Sequence, residues 1–260
     1  MMFSPGQDTA PLKPLKFYQD LATRKGRREH GAFIVEGEKA VRRIIKTRPE
    51  SILEIVSAAE APRGMGDYPA RTVTAAQFSG IATSKTPQGL LAVVRIPADV
   101  SSPGLPADAG DRVLLLEDIQ DPGNVGTLLR TAAAFGFSGA ILTEKCADPF
   151  SPKCVQATAG TVLSLWLRRT SECLEMLAAL RPQGYSLVAT ELNGKEDTAV
   201  LKRPRLLLAL GNEAAGLSPA VLHAADFRLR IPTATGAESL NVAAAGAICI
   251  YLSTREKTAR

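Results

Sequence analysis

Two stretches of this chain are apolar at every position for the length of a strand, 113–116 (VLLL) and 206–210 (LLLAL). Strands without polar alternation must be buried on both faces, the pattern of a parallel sheet with helices on each side. The surrounding pattern agrees. Strand-like runs at 112–116, 139–142, 185–190, 205–210 and 227–231 are interleaved with helical segments at 124–135, after Ser151 and Pro152, at 173–180, and in an Ala-rich stretch running to the C-terminus. Ser151 and Pro152 are suited to the cap and first turn of a helix. The expected architecture is an open α/β sheet covered by helices. Ligands of such sheets lie beyond the carboxyl ends of the strands, so the loops after Leu116, Leu210 and Ile231 are the places to look for chemistry.

Upstream the chain reads as a smaller α/β unit. A basic segment over 17–28 is followed by a strand at 33–35, a helix over 38–47, a strand at 52–56, a strand end at Val73 leading into a short helix over 74–78, and an apolar run at 90–96. Residues 97–111 carry three prolines, two glycines and two serines without periodicity, which is linker composition. The division drawn is a small α/β domain over 1–97, a linker over 98–110 and a larger α/β domain over 111–260.

Charge is distributed unevenly along these units. The first fifty residues hold eleven Lys and Arg against six Asp and Glu, which equals the +5 excess of the whole chain. A sequence pI of about 9.1 with its excess at one end points to a polyanion docking on the N-terminal region. No window approaches the ~18 consecutive apolar residues of a membrane helix, and the N-terminus lacks a basic segment followed by an apolar one. A cytoplasmic protein without a membrane partner is expected. Cys146, Cys154, Cys173 and Cys249 are too scattered for a C-x-x-C pair and read as buried free thiols. His30 and His223 stand far apart, so no metal site is expected.

Each of the three strand-end loops has an ordinary explanation when taken alone. Asp121-Pro122-Gly123 is a turn, with Asn124 as a helix cap; Arg130 reads as a solvated helix residue. Gly211-Asn212 ends a strand, Glu213 suits a helix first turn, and Ser239 suits the cap of the last helix. Their joint occurrence, in order, at the ends of buried strands is what points to a site.

The set resembles the three signature motifs of the TrmH/SpoU branch of the SPOUT methyltransferases. Asn-x-Gly-x-x-x-Arg is matched by Asn124, Gly126 and Arg130, and Gly-Asn-Glu-x-x-Gly-Leu by 211–217. Ile-Pro followed by Ser-Leu-Asn-Val is matched by Ile231-Pro232 and 239–242. The likeness spans 112 to the C-terminus. It extends more weakly to Phe33-Ile34-Val35-Glu36-Gly37, which follows a Lys/Arg-rich helix as in the substrate-binding domain of many members. Thr233, Ala234 and Thr235 stand where the family often carries Met or a similar apolar residue.

The resemblance implies a trefoil-knotted α/β fold and transfer of a methyl group from S-adenosylmethionine to a ribose 2′-hydroxyl. It implies cofactor contacts at Thr190, Gly211, Ile231 and Leu240, with glycine at 211 allowing close backbone approach. It further implies a catalytic set of Asn124, Arg130, Glu213, Ser239 and Asn241, and a homodimer joined near the knot. A guanidinium keeps its proton, so Arg130 is expected to orient the hydroxyl and stabilise developing charge, its geometry fixed by the other four. The absence of GxGxxG disfavours a dinucleotide-type fold. Lys39, Arg42, Arg43 and Lys46 form one helical stripe, and with Arg24, Lys25, Arg27 and Arg28 they are expected to contact RNA phosphates. Ribosomal RNA is the preferred substrate by the same resemblance. The alternatives are transfer RNA, a base nitrogen as acceptor, and a catalytically degenerate RNA-binding protein of this fold.

Overall fold

The computed structural model describes residues 13–59, 62, 64–65, 68–84, 86–234 and 240–254. The first part runs α1 (Leu15–Leu21), α2 (Arg24–His30), β1 (Ala32–Glu36), α3 (Glu38–Thr47), β2 (Ile52–Ser57), β3 (Ala70–Thr72), α4 (Ala75–Ser79) and β4 (Leu90–Arg95). There follow β5 (Arg112–Leu116), α5 (Pro122–Ala134), β6 (Gly139–Thr143), α6 (Pro152–Thr158), β7 (Trp166–Thr170) and α7 (Cys173–Leu180). The chain continues through β8 (Ser186–Lys195), β9 (Leu206–Leu210), α8 (Pro219–Ala224), β10 (Phe227–Leu229) and α9 (Val242–Thr254).

Two sheets result. The first is mixed, in the order β1-β4-β2-β3; the second has six strands in the order β10-β8-β9-β5-β6-β7, every neighbouring pair parallel. The unalternating runs behave as their composition requires. Leu114, Leu116, Leu208 and Leu210 face α5, α6 and α9, while Val113, Leu115, Leu207 and Ala209 face α7 and α8. Each fully buried Leu contributes roughly 1.5–3 kcal/mol, so a polar residue within either strand would meet a core on whichever side it pointed.

The small sheet is not separate from the large one. Its inner face, including Phe33, Val35 and Val94, belongs to the same buried cluster as α5 and α6, and Phe33 packs on Phe150 with ring centroids 4.9 Å apart. The Pro-rich segment between the sheets is also held. Arg168 on β7 donates to Gly104 O (2.7 Å) and to Asp99 (2.7 Å), and Trp166 Nε1 donates to Ala109 O (3.1 Å). The segment therefore lies along the outer strand and shields it, as exposed sheet edges require.

Several local features differ from the sequence reading. The basic N-terminal segment forms two helices because Thr23, in extended conformation, accepts from Gly26 N and starts α2 afresh. Strand β7, over which the sequence reading places no element, carries two arginines in its run; Arg168 is buried with its Nε and Nη1 engaged. Helix α8 was also missed, its turn-like Ser218-Pro219 being a cap and first helical residue. Ser151 occupies the cap position of α6 without a side-chain cap bond, and its Oγ is buried with no hydrogen-bond partner among the described residues. The four cysteines are free and buried, as expected.

Gly126, the motif glycine of α5, is explained by helix packing. A Cβ there would lie 2.5 Å from Cys154 O and 2.6 Å from Ala157 Cβ on α6. Alanine would gain about 1 kcal/mol of helix propensity but force apart two helices whose backbones touch, at a cost of roughly 1–3 kcal/mol or more. The Gly126→Ala variant is therefore expected to unfold at lower urea concentration than the parent; an unchanged or higher midpoint would show that the contact is dispensable.

Candidate active site

The parallel pairing of β5 with β9 brings the loops after Leu116 and Leu210 out side by side, and Glu117 N still donates to Leu210 O (2.9 Å). The first loop is capped by Asp121, whose Oδ1 accepts from Gly123 N (2.5 Å) and Asn124 N (3.2 Å). Asn124 is thus inside the first turn of α5 rather than its cap, and its side chain is available elsewhere. It donates to Glu213 Oε1 (2.9 Å) and accepts from Asn241 Nδ2 (3.2 Å). Asn241 in turn accepts from Ala243 N and Ala244 N, holding the start of α9. One amide therefore links all three strand-end loops.

Glu213 also accepts from the backbone N–H groups of Gln120 and Asp121, both at 3.4 Å. Burial pushes its pKa up, but the hydrogen bonds from Asn124 and from backbone N–H groups outweigh this, and the carboxyl lies below its ordinary value. It is a stable anion tying two loops together.

Some positioning residues escaped the sequence reading. Glu117, buried, accepts from Ser218 N (2.8 Å). Asn212 Oδ1 accepts from Ala214 N and Ala215 N, while its Nδ2 donates to Asp118 O (2.8 Å). Asp118 has φ 56°, a left-handed conformation uncommon for a residue with a side chain. Thr143 holds it there: its Oγ1 accepts from Asp118 N (2.8 Å) and donates to Asp118 Oδ1 (2.6 Å). The available signal was a charged pair, Glu117-Asp118, set directly against a fully apolar strand.

The remaining expected residues stand apart from this cluster. Arg130 is exposed on α5, six residues beyond Asn124 and so roughly 120° round the helix at 3.6 residues per turn; it has no hydrogen-bond or ion-pair partner among the described residues. Ser239 and Thr235 lie outside the described residues. Gly211 is buried, and a Cβ there would collide with the main chain of Gly216 and Leu217, so its glycine is demanded by the loop's own turn, whatever approaches from outside. Thr190 Oγ1 donates to Ala209 O (3.0 Å) across β8 and β9.

The basic residues also separate. Arg24, Arg28, Lys39 and Lys46 are exposed; Lys25 lies 3.7 Å from Glu29, Arg42 bonds Glu38 at 2.7 Å, and Arg43 donates to Ala159 O (3.1 Å). Arg27 corrects the expectation that it contacts RNA. It is 4% exposed, donates to Leu21 O and Ala22 O, and pairs with Asp148 at 2.6 and 3.0 Å. Its charge anchors α2 to the large sheet.

Comparison with known proteins fits this geometry. The SpoU rRNA Methylase family matches residues 111–251, and the MRM3-like substrate binding domain matches 13–92. The 23S rRNA (guanosine(2553)-2′-O)-methyltransferase RlmP of Bacillus subtilis is 30% identical over 251 residues, 94% of this chain and 97% of the relative. The chain belongs to the SpoU rRNA methylase family. The 23S rRNA (uridine(2479)-2′-O)-methyltransferase of Streptomyces viridochromogenes is 33% identical over 67% of this chain and 62% of its own length. Among solved structures, the AdoMet-bound rRNA methyltransferase of Sinorhizobium meliloti superposes with a TM-score of 0.81 at 29% identity, covering 96% of this chain and 98% of its own. A putative RNA methyltransferase of the TrmH family from Porphyromonas gingivalis gives 0.77 at 33% identity, covering 98% and 99%. The mostly parallel α/β fold is that of this family, and membership implies its knot.

The family's cofactor suits the residues present. Among the described residues, the main-chain groups of Gly211, Ile231 and Leu240 take part in no backbone–backbone hydrogen bond, and the Leu240 side chain is 38% exposed. Main-chain donors and acceptors left without backbone partners are what an adenosyl group with an amino-acid tail requires. Among the described residues no group of three His, Cys, Asp or Glu could hold a metal ion, and no helix is long and apolar enough to cross a membrane.

Removing the two kinds of basic residue should have different effects. Arg27→Met leaves Asp148 without its partner and is expected to cost about 3 kcal/mol in urea unfolding. Arg24→Ala with Arg28→Ala is expected to keep the unfolding midpoint and flatten the salt dependence of RNA binding. The reverse pattern would overturn the assignment.

Proposed function

We propose that this chain transfers the methyl group of S-adenosylmethionine to a ribose 2′-hydroxyl of ribosomal RNA. The observation that carries the reading is the cluster Asn124–Glu213–Asn241, which ties three strand-end loops into one polar floor at the carboxyl edge of a parallel sheet in a chain of this family. Residues 1–97 dock the RNA, 98–110 connect, and 111–260 perform the transfer. The work is done in the cytoplasm, on RNA.

Thr190, Gly211, Ile231 and Leu240 hold the cofactor, the last three through main-chain groups. When bound, the cofactor supplies an electrophilic methyl on a sulfonium. What remains for the protein is alignment of the acceptor oxygen, which by itself can account for most of the acceleration. Arg130 orients the 2′-hydroxyl and its neighbouring phosphate with a planar fork of donors. Asn124, Glu213, Ser239 and Asn241 set the loops on which this alignment depends. Glu213 does so as a tie and not as a base, since a carboxylate that accepts from Asn124 and two backbone N–H groups and is held below its ordinary pKa is a weak proton acceptor.

Tritiated methyl transfer to ribosomal RNA from cells lacking the protein tests this. Arg130→Ala and Arg130→Lys are both expected to lose at least about a hundredfold in turnover, with cofactor affinity by calorimetry unchanged. Full activity of the Lys variant would show that the fork is not used, and no transfer by the parent protein would sink the reading.

The protein acts as a homodimer through α9 and the adjoining end of α5. Helix α9 is apolar all round, a pattern normally found only in buried helices, yet Ala244, Ile248 and Tyr251 are exposed, and Tyr251 meets the exposed Phe135, just past the end of α5, edge-on at 5.8 Å. Thr127, Arg130 and Ala134 form the neighbouring exposed stripe. Sedimentation is expected to give a dimer for the parent and a monomer for Ile248→Asp; a monomeric parent would refute the dimer.

A further inference from the structure

The seam between the two sheets encloses a cleft of about 610 Å³ that the transfer site does not use. Its apolar walls come from Ile34 and Val35 of β1 and from Pro152 and Val155 of α6. Its lining also includes the exposed Gln88 and Gln156, whose side-chain amides have no hydrogen-bond partner among the described residues, and the exposed Lys39, which has no ion pair there. The carboxylates in the wall are engaged. Glu36 accepts four hydrogen bonds from Thr83 and Ser84 at 2.5–3.0 Å, and Glu38 holds Arg42 at 2.7 Å.

Such a lining suits one class of ligand. An amide presents a donor and an acceptor in one plane and matches the edge of a nucleobase; apolar walls accept its face, and an ammonium accepts the attached phosphate. Single-stranded RNA is read in this way, by bases turned out of the stack into pockets. The volume lies within the usual range for small-ligand sites.

The cleft is coupled to the loop that carries the motif residues. Pro152 lines the cleft, and the next residue, Lys153, donates to Asp121 at 2.9 Å, the cap of α5. We propose that this cleft binds a nucleoside of the RNA substrate other than the methylated one, read by Gln88 and Gln156, and so sets which nucleotide reaches the transfer site. The proposal rests on the RNA-methyltransferase reading for its substrate, while the cleft can be tested apart from catalysis.

The four native cysteines are buried, so a Gln156→Cys protein can be labelled after folding with a bulky maleimide at that position alone. The probe is bulk ribosomal RNA from cells lacking the protein, with KM from methyl transfer and Kd from filter binding. Labelled Gln156→Cys is expected to show at least about a tenfold rise in both, with cofactor affinity unchanged, whereas labelled Glu175→Cys, exposed on α7, shows none. The double variant Gln88→Leu with Gln156→Leu is expected to raise KM about tenfold at constant kcat, the worth of two modest hydrogen bonds. Unchanged KM in the labelled protein overturns the cleft as an RNA site. A raised KM on labelling with none in the double variant overturns base reading by the amides. Loss of RNA affinity on labelling in a protein that transfers no methyl would uphold the cleft and refute the activity.

Discussion

The adjacency of β5 and β9 in a purely parallel sheet is the constraint on which the rest of the molecule turns. Two strands that are apolar on both faces cannot satisfy any polar group of their own side chains, so everything polar is expelled to the strand ends. Because the strands run the same way, those ends emerge together. Asn124 and Glu213 then bond each other, while Glu117, Asn212 and Glu213 bond backbone groups of both loops.

The small N-terminal sheet is fixed to this frame by contacts of two kinds. Shared apolar packing supplies the attraction, while the Arg27–Asp148 pair supplies direction. A buried ion pair adds little net stability because its desolvation offsets its attraction, but leaving either partner alone is costly, so few relative placements of the sheets are allowed. The linker contributes by lying on β7. The cleft at the seam owes its shape to this rigid placement, and neither half of the chain forms it alone.

Much of this was legible in the chain. Unalternating strands fixed the sheet type, β5 and α7 fell at their read boundaries, and the three loops identified the family. What was not legible follows a common pattern. The basic run ahead of β1 gave Arg27 the same standing as Arg28, because charge along the chain does not record what each side chain will meet. Arg168 and Arg169 concealed β7, since a long cationic side chain can be buried when carbonyls and a carboxylate receive it. The glycines at 126 and 211 were noticed for a ligand or a motif, whereas the close approach is made by α6 and by the loop's own turn.

The amino-acid order by itself determined the layers of the large sheet, the position of each chemically active loop along the chain, and the excess of positive charge at one end, because these depend on polarity at successive positions. Only the tertiary structure decided which of those charges are spent on holding the protein together, that Asn124 rather than Arg130 joins the three loops within one chain, and that two amides at the seam have no partner among the described residues. Those outcomes depend on hydrogen bonds between residues far apart in sequence, and such partners exist only once packing has brought them within reach.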